Sequence, residues 1–261
     1  MQHVWRIVCQ SVQGERHHVD GVQCQDCSLA SRIGEGKNET LVACVADGAG
    51  SSMFSGVGSR MTCETIIQSA TDRFASPRSL ASLQPTDIVE WCEGVRRTMS
   101  KDARTNRRQL SDYASTMCGA VIAPGRSIFF QIGDGAIVVR RNGVLGVVFW
   151  PQSGEYINAT NFLTSPNFHK LFQICVIEGE FTDVALLTDG VERIALQFET
   201  QSPHVPFFCP LLAGVRATSN LDVLNNDLRR FLESEAVTKK SDDDKTLLLA
   251  CRIADELGLI A

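Results

Sequence analysis

The segment between residues 117 and 150 restricts the fold more than any other part of the sequence. It contains short apolar runs separated by a Pro-Gly pair at 124–125, a Gly-Asp-Gly triplet at 133–135 and an Asn-Gly pair at 142–143. An Asn-Gly pair supplies the positive φ angles that a two-residue hairpin turn needs. Closely spaced runs joined by such turns are typical of antiparallel strands, so we predict an antiparallel meander here.

Helical and strand patterns elsewhere in the chain define the fold class. Further apolar runs of strand length lie at 4–12, 41–47, 172–177, 184–188 and 246–253. Apolar residues spaced three and four apart predict amphipathic helices over 55–74, 88–99 and 221–231. Grouped antiparallel strands with helices between the groups indicate an α+β protein rather than alternating βαβ units. The simplest arrangement is an antiparallel β-sandwich flanked by helices.

Composition and charge disfavour several classes of protein. Hydrophobic residues make up 44% and charged residues 21% of the 261 residues, which is close to ordinary globular usage. The net charge of −5 argues against a nucleic-acid partner, because binding phosphates needs a basic face. No window has the length of a membrane span, and residues 1–16 lack the pattern of a secretory signal. We therefore expect a single domain over 1–261 with neither nucleic acid nor membrane as partner.

The chain contains ten cysteines without a recurring paired spacing. Several lie inside apolar runs, where a reduced thiol behaves as a small hydrophobe, so we expect a reducing cytoplasmic compartment. Cys24 and Cys27 form one CxxC pair, and the absence of a second pair in the sequence disfavours a zinc site. His169 and His204 are predicted to lie in surface loops.

Four aspartates stand where apolar strands meet turns, namely Asp47, Asp134, Asp189 and Asp243. Taken singly, an aspartate before glycine fits an ordinary turn. Carboxylates at the ends of buried strands gather at one rim of a sheet, where they can hold hard cations such as Mg²⁺ or Mn²⁺. The four together favour a metal site over four unrelated turns.

Six short segments, taken in order, resemble the metal-dependent serine/threonine protein phosphatases of type 2C, in their bacterial form. They are GERHHVDGVQCQD at 14–26, ADGAGS at 46–51, STMCGA at 115–120, GDGAIVVRR at 133–141, TDGV at 188–191 and DDKT at 243–246. Together they span the catalytic domain of that family. The resemblance implies four αββα layers, with two antiparallel sheets between helix pairs and a two-metal centre at one end.

The resemblance also implies a set of metal ligands. Asp47 would bridge two Mn²⁺ or Mg²⁺ ions, the carbonyl of Gly48 would bind one of them, and Asp189 and Asp243 would complete the other. Asp134 would help to hold a third, weaker ion. A water held between two such ions can attack phosphorus directly, so no covalent nucleophile is needed. The expected catalytic residues are Asp47, Asp189 and Asp243.

The sequence departs from the family pattern at three places. Gln25 and Asp26 stand where many members have Glu-Asp, so one ion loses an anionic ligand and is expected to use Asp26, directly or through water. The family's phosphate-binding arginine has no direct counterpart: Arg16 or His17 could contact the substrate phosphate, or neither. Ala49 stands where some relatives carry a histidine proposed as general acid.

Two functions follow from these observations. We expect an active phosphatase that releases phosphate from phosphoserine or phosphothreonine in protein substrates. The alternative is a catalytically weak relative that acts as a regulatory binding partner. The polar segment at 151–171 lies where the family carries a flap, and an exposed Tyr156, Asn161 and Phe162 are expected to contact the substrate. The sequence defines neither the oligomeric state nor the physiological substrate.

Overall fold

In the computed structural model, which describes residues 2–75, 82–152 and 160–255, the chain forms two five-stranded antiparallel sheets with helices outside them. The strands are β1 (Gln2–Val12), β2 (Cys27–Ile33), β3 (Thr40–Ala46), β4 (Met117–Ala123), β5 (Arg126–Ile132), β6 (Ala136–Arg141), β7 (Val144–Phe149), β8 (Gln173–Glu178), β9 (Asp183–Leu187), β10 (Leu196–Gln197), β11 (Ser202–Pro203) and β12 (Lys245–Asp255). The helices are α1 (Glu15–Asp20), α2 (Ser55–Ala75), α3 (Pro85–Thr105), α4 (Phe168–Leu171), α5 (Asp189–Ala195), α6 (Val205–Ala217), α7 (Leu221–Leu232) and α8 (Glu235–Thr238).

The strand order shows how distant parts of the chain meet. The first sheet has the order β1-β12-β9-β6-β7, and the second has the order β2-β3-β4-β5-β8. β1 pairs with β12 along its whole length, from Gln2 opposite Asp255 to Val12 opposite Lys245. The predicted α+β class and antiparallel sandwich are confirmed.

The predicted meander at 117–150 is wrong in one respect, because its four strands belong to two sheets. β4 and β5 form a hairpin in the second sheet, whereas β6 and β7 form a hairpin in the first. The chain crosses between the sheets in the 133–135 turn, where Gly133 has a φ of 102°. Local turn signals identify hairpins, but they do not say which hairpins pair with each other. On its other side β5 pairs with β8, and β6 pairs with β9.

Three apolar clusters account for the four layers. The central cluster lies between the sheets and includes Trp5, Phe129 and Leu248. A second cluster joins α2 and α3 to the second sheet, and a third joins α6 and α7 to the first sheet. The expected αββα layering is confirmed, and burial of both faces of each sheet explains why most strands read as continuous apolar runs.

The helices at 55–74, 88–99 and 221–231 are confirmed, with α3 longer than predicted. The prediction missed α6, whose sequence contains Pro206 and Pro210. Pro206 is tolerated because it occupies the first turn, where its missing N–H has no helical acceptor, but Pro210 lies inside the helix. His204 precedes α6 as its N-cap residue rather than lying in an open loop. None of the described helices is long and apolar enough to cross a membrane.

The described part of the segment at 151–171 packs against α3. Leu163 and Phe168 are buried, and the Arg96 guanidinium donates hydrogen bonds to the carbonyl oxygens of Leu163 and Ser165. The same guanidinium lies 4.7 Å from the centre of the Phe168 ring. The segment is therefore anchored at its C-terminal half.

The prediction that residues of this segment are exposed differs from what the structure describes. Asn161 and Phe162 are half-buried, and the residues that follow them are held against α3 by Arg96. Tyr156 lies outside the described residues. His169, predicted to be in a surface loop, belongs to α4, and its Nε2 lies 2.8 Å from Oε1 of Glu93.

Candidate metal centre

The five predicted acidic residues come from loops next to strand ends in both sheets. Asp47 directly follows β3, and Asp26 directly precedes β2. Asp134 lies in the turn between β5 and β6. Asp189 begins α5 after β9, and Asp243 lies two residues before β12. The fold thus brings residues that are far apart in sequence to one place.

Three of these side chains form a close group. Asp47, Asp134 and Asp189 each offer a carboxylate oxygen, and these oxygens lie within 4.8 Å of one another. The Oδ1 atoms of Asp26, Asp134 and Asp189 are buried and have no hydrogen-bond partner among the described residues. Carboxylate oxygens that converge without partners are the ligands that hard divalent cations prefer. The residues present therefore fit Mn²⁺ or Mg²⁺.

Asp26 is held against this group by a threonine that the sequence analysis missed. The Thr188 hydroxyl donates a hydrogen bond to Oδ2 of Asp26 at 2.8 Å, and it accepts one from the backbone N–H of Thr246 at 3.0 Å. Thr188 thereby links Asp26 to the start of β12. Asp26 also contributes to the raised pKa of Asp47. Thr188 has no sequence signal beyond its place next to Asp189.

Burial and crowding raise the pKa of the clustered carboxyl groups. Burial, followed by the charges of Asp134 and Asp243, raises the pKa of Asp189 to about 8. Burial raises the pKa of Asp26 to about 6. The pKa of Asp47 lies well above its usual range because of burial and the nearby Asp26, and burial also raises the pKa of Asp134. Without a cation, the site disfavours its own negative charge.

Asp243 lies beside the close group rather than within it. Its charge contributes to the raised pKa values of Asp189 and Asp134. The neighbouring Asp244 has a different task that sequence analysis did not identify. It is buried, and its two carboxylate oxygens accept hydrogen bonds from the backbone N–H groups of Gly14 and Gln25. Asp244 therefore fixes the loop that leads to Asp26.

Gly48 and Gln25 are packed against each other. A Cβ atom on Gly48 would lie 2.7 Å from the carbonyl oxygen of Gln25 and 2.8 Å from the carbonyl carbon of Ser55, so a larger residue does not fit. The side-chain Oε1 of Gln25 is buried without a hydrogen-bond partner among the described residues. A neutral amide oxygen is thus available where the family pattern has a carboxylate.

The two candidate phosphate contacts differ in burial. Arg16 is exposed, and its backbone N–H donates to the carbonyl of Asp242. The His17 side chain is buried, with Nδ1 2.9 Å from Oδ2 of Asp244. Its Nε2 is turned towards Gly50, where a Cβ atom would lie 4.0 Å from it. Of the two, His17 is the side chain that reaches the loop after Asp47.

Two further polar residues lie around Asp134, and sequence analysis named neither. The Thr160 hydroxyl donates a hydrogen bond to Oδ2 of Asp134 at 2.8 Å. Burial and the charge of Asp134 raise the pKa of Glu192 to about 7. Glu192 stands three residues after Asp189 in α5, a helical spacing that places both on one side, and this signal could have been read from the sequence.

The cysteines take no part in this group. All ten are free thiols, including Cys24 and Cys27, and the close-set acidic group found among the described residues contains no cysteine. The Cys24–Cys27 pair therefore does not contribute to that group.

Comparison of the sequence with known proteins gives two findings. The sequence model of the family described as Protein phosphatase 2C matches residues 13–233. Serine/threonine-protein phosphatase 3 of Escherichia coli (strain K12) is 33% identical over 250 residues, which cover 94% of this chain and 98% of that protein.

Solved structures share the fold at low sequence identity. A bacterial serine phosphatase has a TM-score of 0.64 at 13% identity, covering 97% of this chain and 100% of that one. Stp1 from Staphylococcus aureus has a TM-score of 0.63 at 13% identity, covering 97% and 96%. The catalytic domain of PstP in complex with two manganese ions has a TM-score of 0.61 at 13% identity, covering 97% and 100%. At these identities the likeness concerns the fold.

Proposed function

The chain belongs to the protein phosphatase 2C family, and on this premise we propose which of its residues perform the reaction of a metal-dependent serine/threonine protein phosphatase. The reaction is the hydrolysis of phosphoserine and phosphothreonine in protein substrates. The observation that carries the proposal is the close group of Asp47, Asp134 and Asp189. Its unpartnered buried oxygens match the chemistry of a divalent metal centre.

The ligands divide into two sets around Asp47. Asp189 and Asp243 would join Asp47 at one Mn²⁺ or Mg²⁺ ion, and the Gly48 carbonyl and Asp26 would join it at the other. Asp134 would hold a third ion. Bound there, such cations lower the pKa of a water molecule and offset the charge on phosphoryl oxygens.

We propose that other residues of the site orient the ligands and the substrate. Thr188 orients Asp26 through its hydroxyl, and Asp244 holds the loop that carries Gln25. We propose that His17, rather than Arg16, reaches the bound substrate, because the His17 side chain lies beside the loop after Asp47 while Arg16 is exposed. None of these roles needs a covalent intermediate on the protein.

The wider setting is also a proposal. Residues 1–261 would form one catalytic domain that acts on phosphoproteins in the cytoplasm, which the ten free thiols support. The segment at 151–171 would act as a flap that contacts the protein substrate. Arg96 anchors this segment to α3 by a hydrogen bond to the Leu163 carbonyl. The Thr160 hydroxyl donates a hydrogen bond to Asp134, so the described part of the segment lies beside Asp134.

A metal-dependence assay with site variants tests the assignment. Metal-stripped protein should be inactive on p-nitrophenyl phosphate and on a phosphoserine peptide, and added Mn²⁺ should restore both activities. Asp47→Asn and Asp189→Asn should each lower kcat by several orders of magnitude and weaken Mn²⁺ binding in calorimetry, because each removes a ligand charge. Asp72→Asn, which changes an exposed acid on α2, is the matched control. Full turnover by stripped protein, or wild-type turnover and metal binding by either variant, would show that the site is misplaced.

A further inference from the structure

His17 is the side chain that α1 buries, with 8% of its surface exposed. Its Nδ1 lies 2.9 Å from Oδ2 of Asp244, although the two are poorly aligned for a hydrogen bond. Asp244 is fixed in turn by the backbone N–H groups of Gly14 and Gln25. A carboxylate held in this way beside an imidazole restrains the orientation of its ring.

The opposite nitrogen of this imidazole lies beside the loop that follows Asp47. Nε2 is turned towards Gly50, which is exposed and lies three residues after Asp47. On the other side, Asp244 follows Asp243. The His17 ring therefore spans the gap between the two segments that carry the proposed ligands Asp47 and Asp243. Nε2 thus borders the loop between β3 and α2, which begins with Asp47.

The chemistry of the leaving group favours a proton donor in the site. When phosphate is cleaved from serine or threonine, the departing oxygen is a strongly basic alkoxide, and a positioned acid accelerates its departure. The Asp47, Asp134 and Asp189 carboxylates must be unprotonated to bind cations. An arginine keeps its proton in proteins, so Arg16 does not fill this role either.

We propose that His17 donates the Nε2 proton to the seryl or threonyl oxygen as that oxygen leaves phosphorus, a role that rests on the function proposed above. The oxygen of a water molecule forms a bond to phosphorus while the bond from phosphorus to the side-chain oxygen breaks. The Nε2 proton passes to the departing oxygen, one proton of the water passes to solvent, and solvent reprotonates His17. The products are the free hydroxyl side chain and inorganic phosphate.

Leaving-group dependence tests this role. His17→Gln keeps a polar side chain of similar reach but has no transferable proton. With Mn²⁺ present, it should lower kcat on a phosphoserine peptide by about 10²-fold or more, since general acids contribute about 10²–10⁴-fold. Activity on p-nitrophenyl phosphate, whose leaving group departs without a proton, should change little. His18→Gln, an exposed neighbour of the same type, is the matched control and should keep both activities.

The outcomes separate this role from simpler ones. Equal loss on both substrates, or a rise in KM without a selective fall in kcat, would overturn it in favour of a phosphate contact or a structural residue. If His17→Gln does not fold, the wild-type enzyme supplies the test: across aryl phosphates of increasing leaving-group basicity, kcat/KM should fall only weakly, and a steep fall would refute proton donation. Loss of all metal-dependent activity in the wild type would instead refute the proposed function itself.

Discussion

Replacing Asp189 by asparagine should stabilise the metal-free protein while it destroys the activity. The carboxylate oxygens of Asp47, Asp134 and Asp189 converge, and Oδ1 of Asp134 and of Asp189 is buried without a partner among the described residues, so the arrangement is favourable only when a cation neutralises it. Removing one of the charges relieves both the burial cost and the repulsion. A site built for a metal is therefore expected to be a weak point of the metal-free fold.

The magnitude follows from the raised pKa of Asp189, about 8 in the folded protein against an ordinary 3.8. The folded state binds the Asp189 proton more tightly than the unfolded state does, so ionisation of this group lowers the free energy of unfolding. The loss is absent below pH 3.8, grows as the pH rises to about 8, and is constant above that. One pKa unit corresponds to about 1.4 kcal/mol, so the cost at pH 7 is about 4 kcal/mol. Protons shift among neighbouring carboxyl groups when one is removed, so we expect a net gain of about 2 kcal/mol.

Thermal unfolding in the presence of EDTA measures this gain. At pH 7 the Asp189→Asn variant should melt roughly 4–8 °C above the wild type, and the difference should grow towards pH 8 and shrink towards pH 5. Excess Mn²⁺ should reverse the order, because a ligand at about 100 times its dissociation constant adds about 2.7 kcal/mol to the protein that binds it. Asp72→Asn, outside the site, should show neither effect.

Two results would refute this reasoning. A metal-free Asp189→Asn protein that melts at or below the wild type at pH 7 would show that the converging carboxylates carry no electrostatic cost. A difference in melting temperature that does not change between pH 5 and pH 8 would show that ionisation of Asp189 is not its cause.

Three other changes have expected outcomes. Gly119→Ala should lower stability to denaturant by about 1–3 kcal/mol with Mn²⁺ affinity unchanged, because the new Cβ would lie 2.1 Å from the Phe130 ring; wild-type stability would contradict the packing. Gln25→Glu should tighten Mn²⁺ binding in calorimetry by adding an anionic ligand, and unchanged affinity would place Gln25 outside the site. Arg96→Ala releases the Leu163 carbonyl and should lower kcat/KM on phosphopeptides more than on p-nitrophenyl phosphate, whereas equal loss would argue against a flap role.

Local patterns in the sequence predicted most elements of the fold, and the failures have a common cause. Apolar runs and glycine turns identify β3 and the hairpins correctly, because these features depend on neighbouring residues. The assignment of β5 and β6 to different sheets depends on pairing with β8 and β9, which no local pattern encodes. α6 was missed because proline is counted against helices, although Pro206 lies in the first turn.

The candidate site shows the same division. The acids next to strand ends, such as Asp47 and Asp189, could be named from the sequence because a buried strand that ends in a carboxylate is itself a signal. Asp244 and Thr188 could not, because their hydrogen bonds reach Gly14 and Asp26, far away in the chain. The roles of these two residues exist only once the fold has brought the segments together.

The position of β12 between β1 and β9 has a consequence for the timing of synthesis. Every other strand among the described residues leaves the ribosome before β12, and until then the first sheet lacks its second strand. Asp243 and Asp244 immediately precede this strand, so the proposed ligand set and the hydrogen bonds that Asp244 makes to the N-terminal loop are completed after the other described strands have emerged. A nascent chain is therefore expected to have no activity on the phosphoproteins around it. A chain that stops after α8 should be inert rather than partly active.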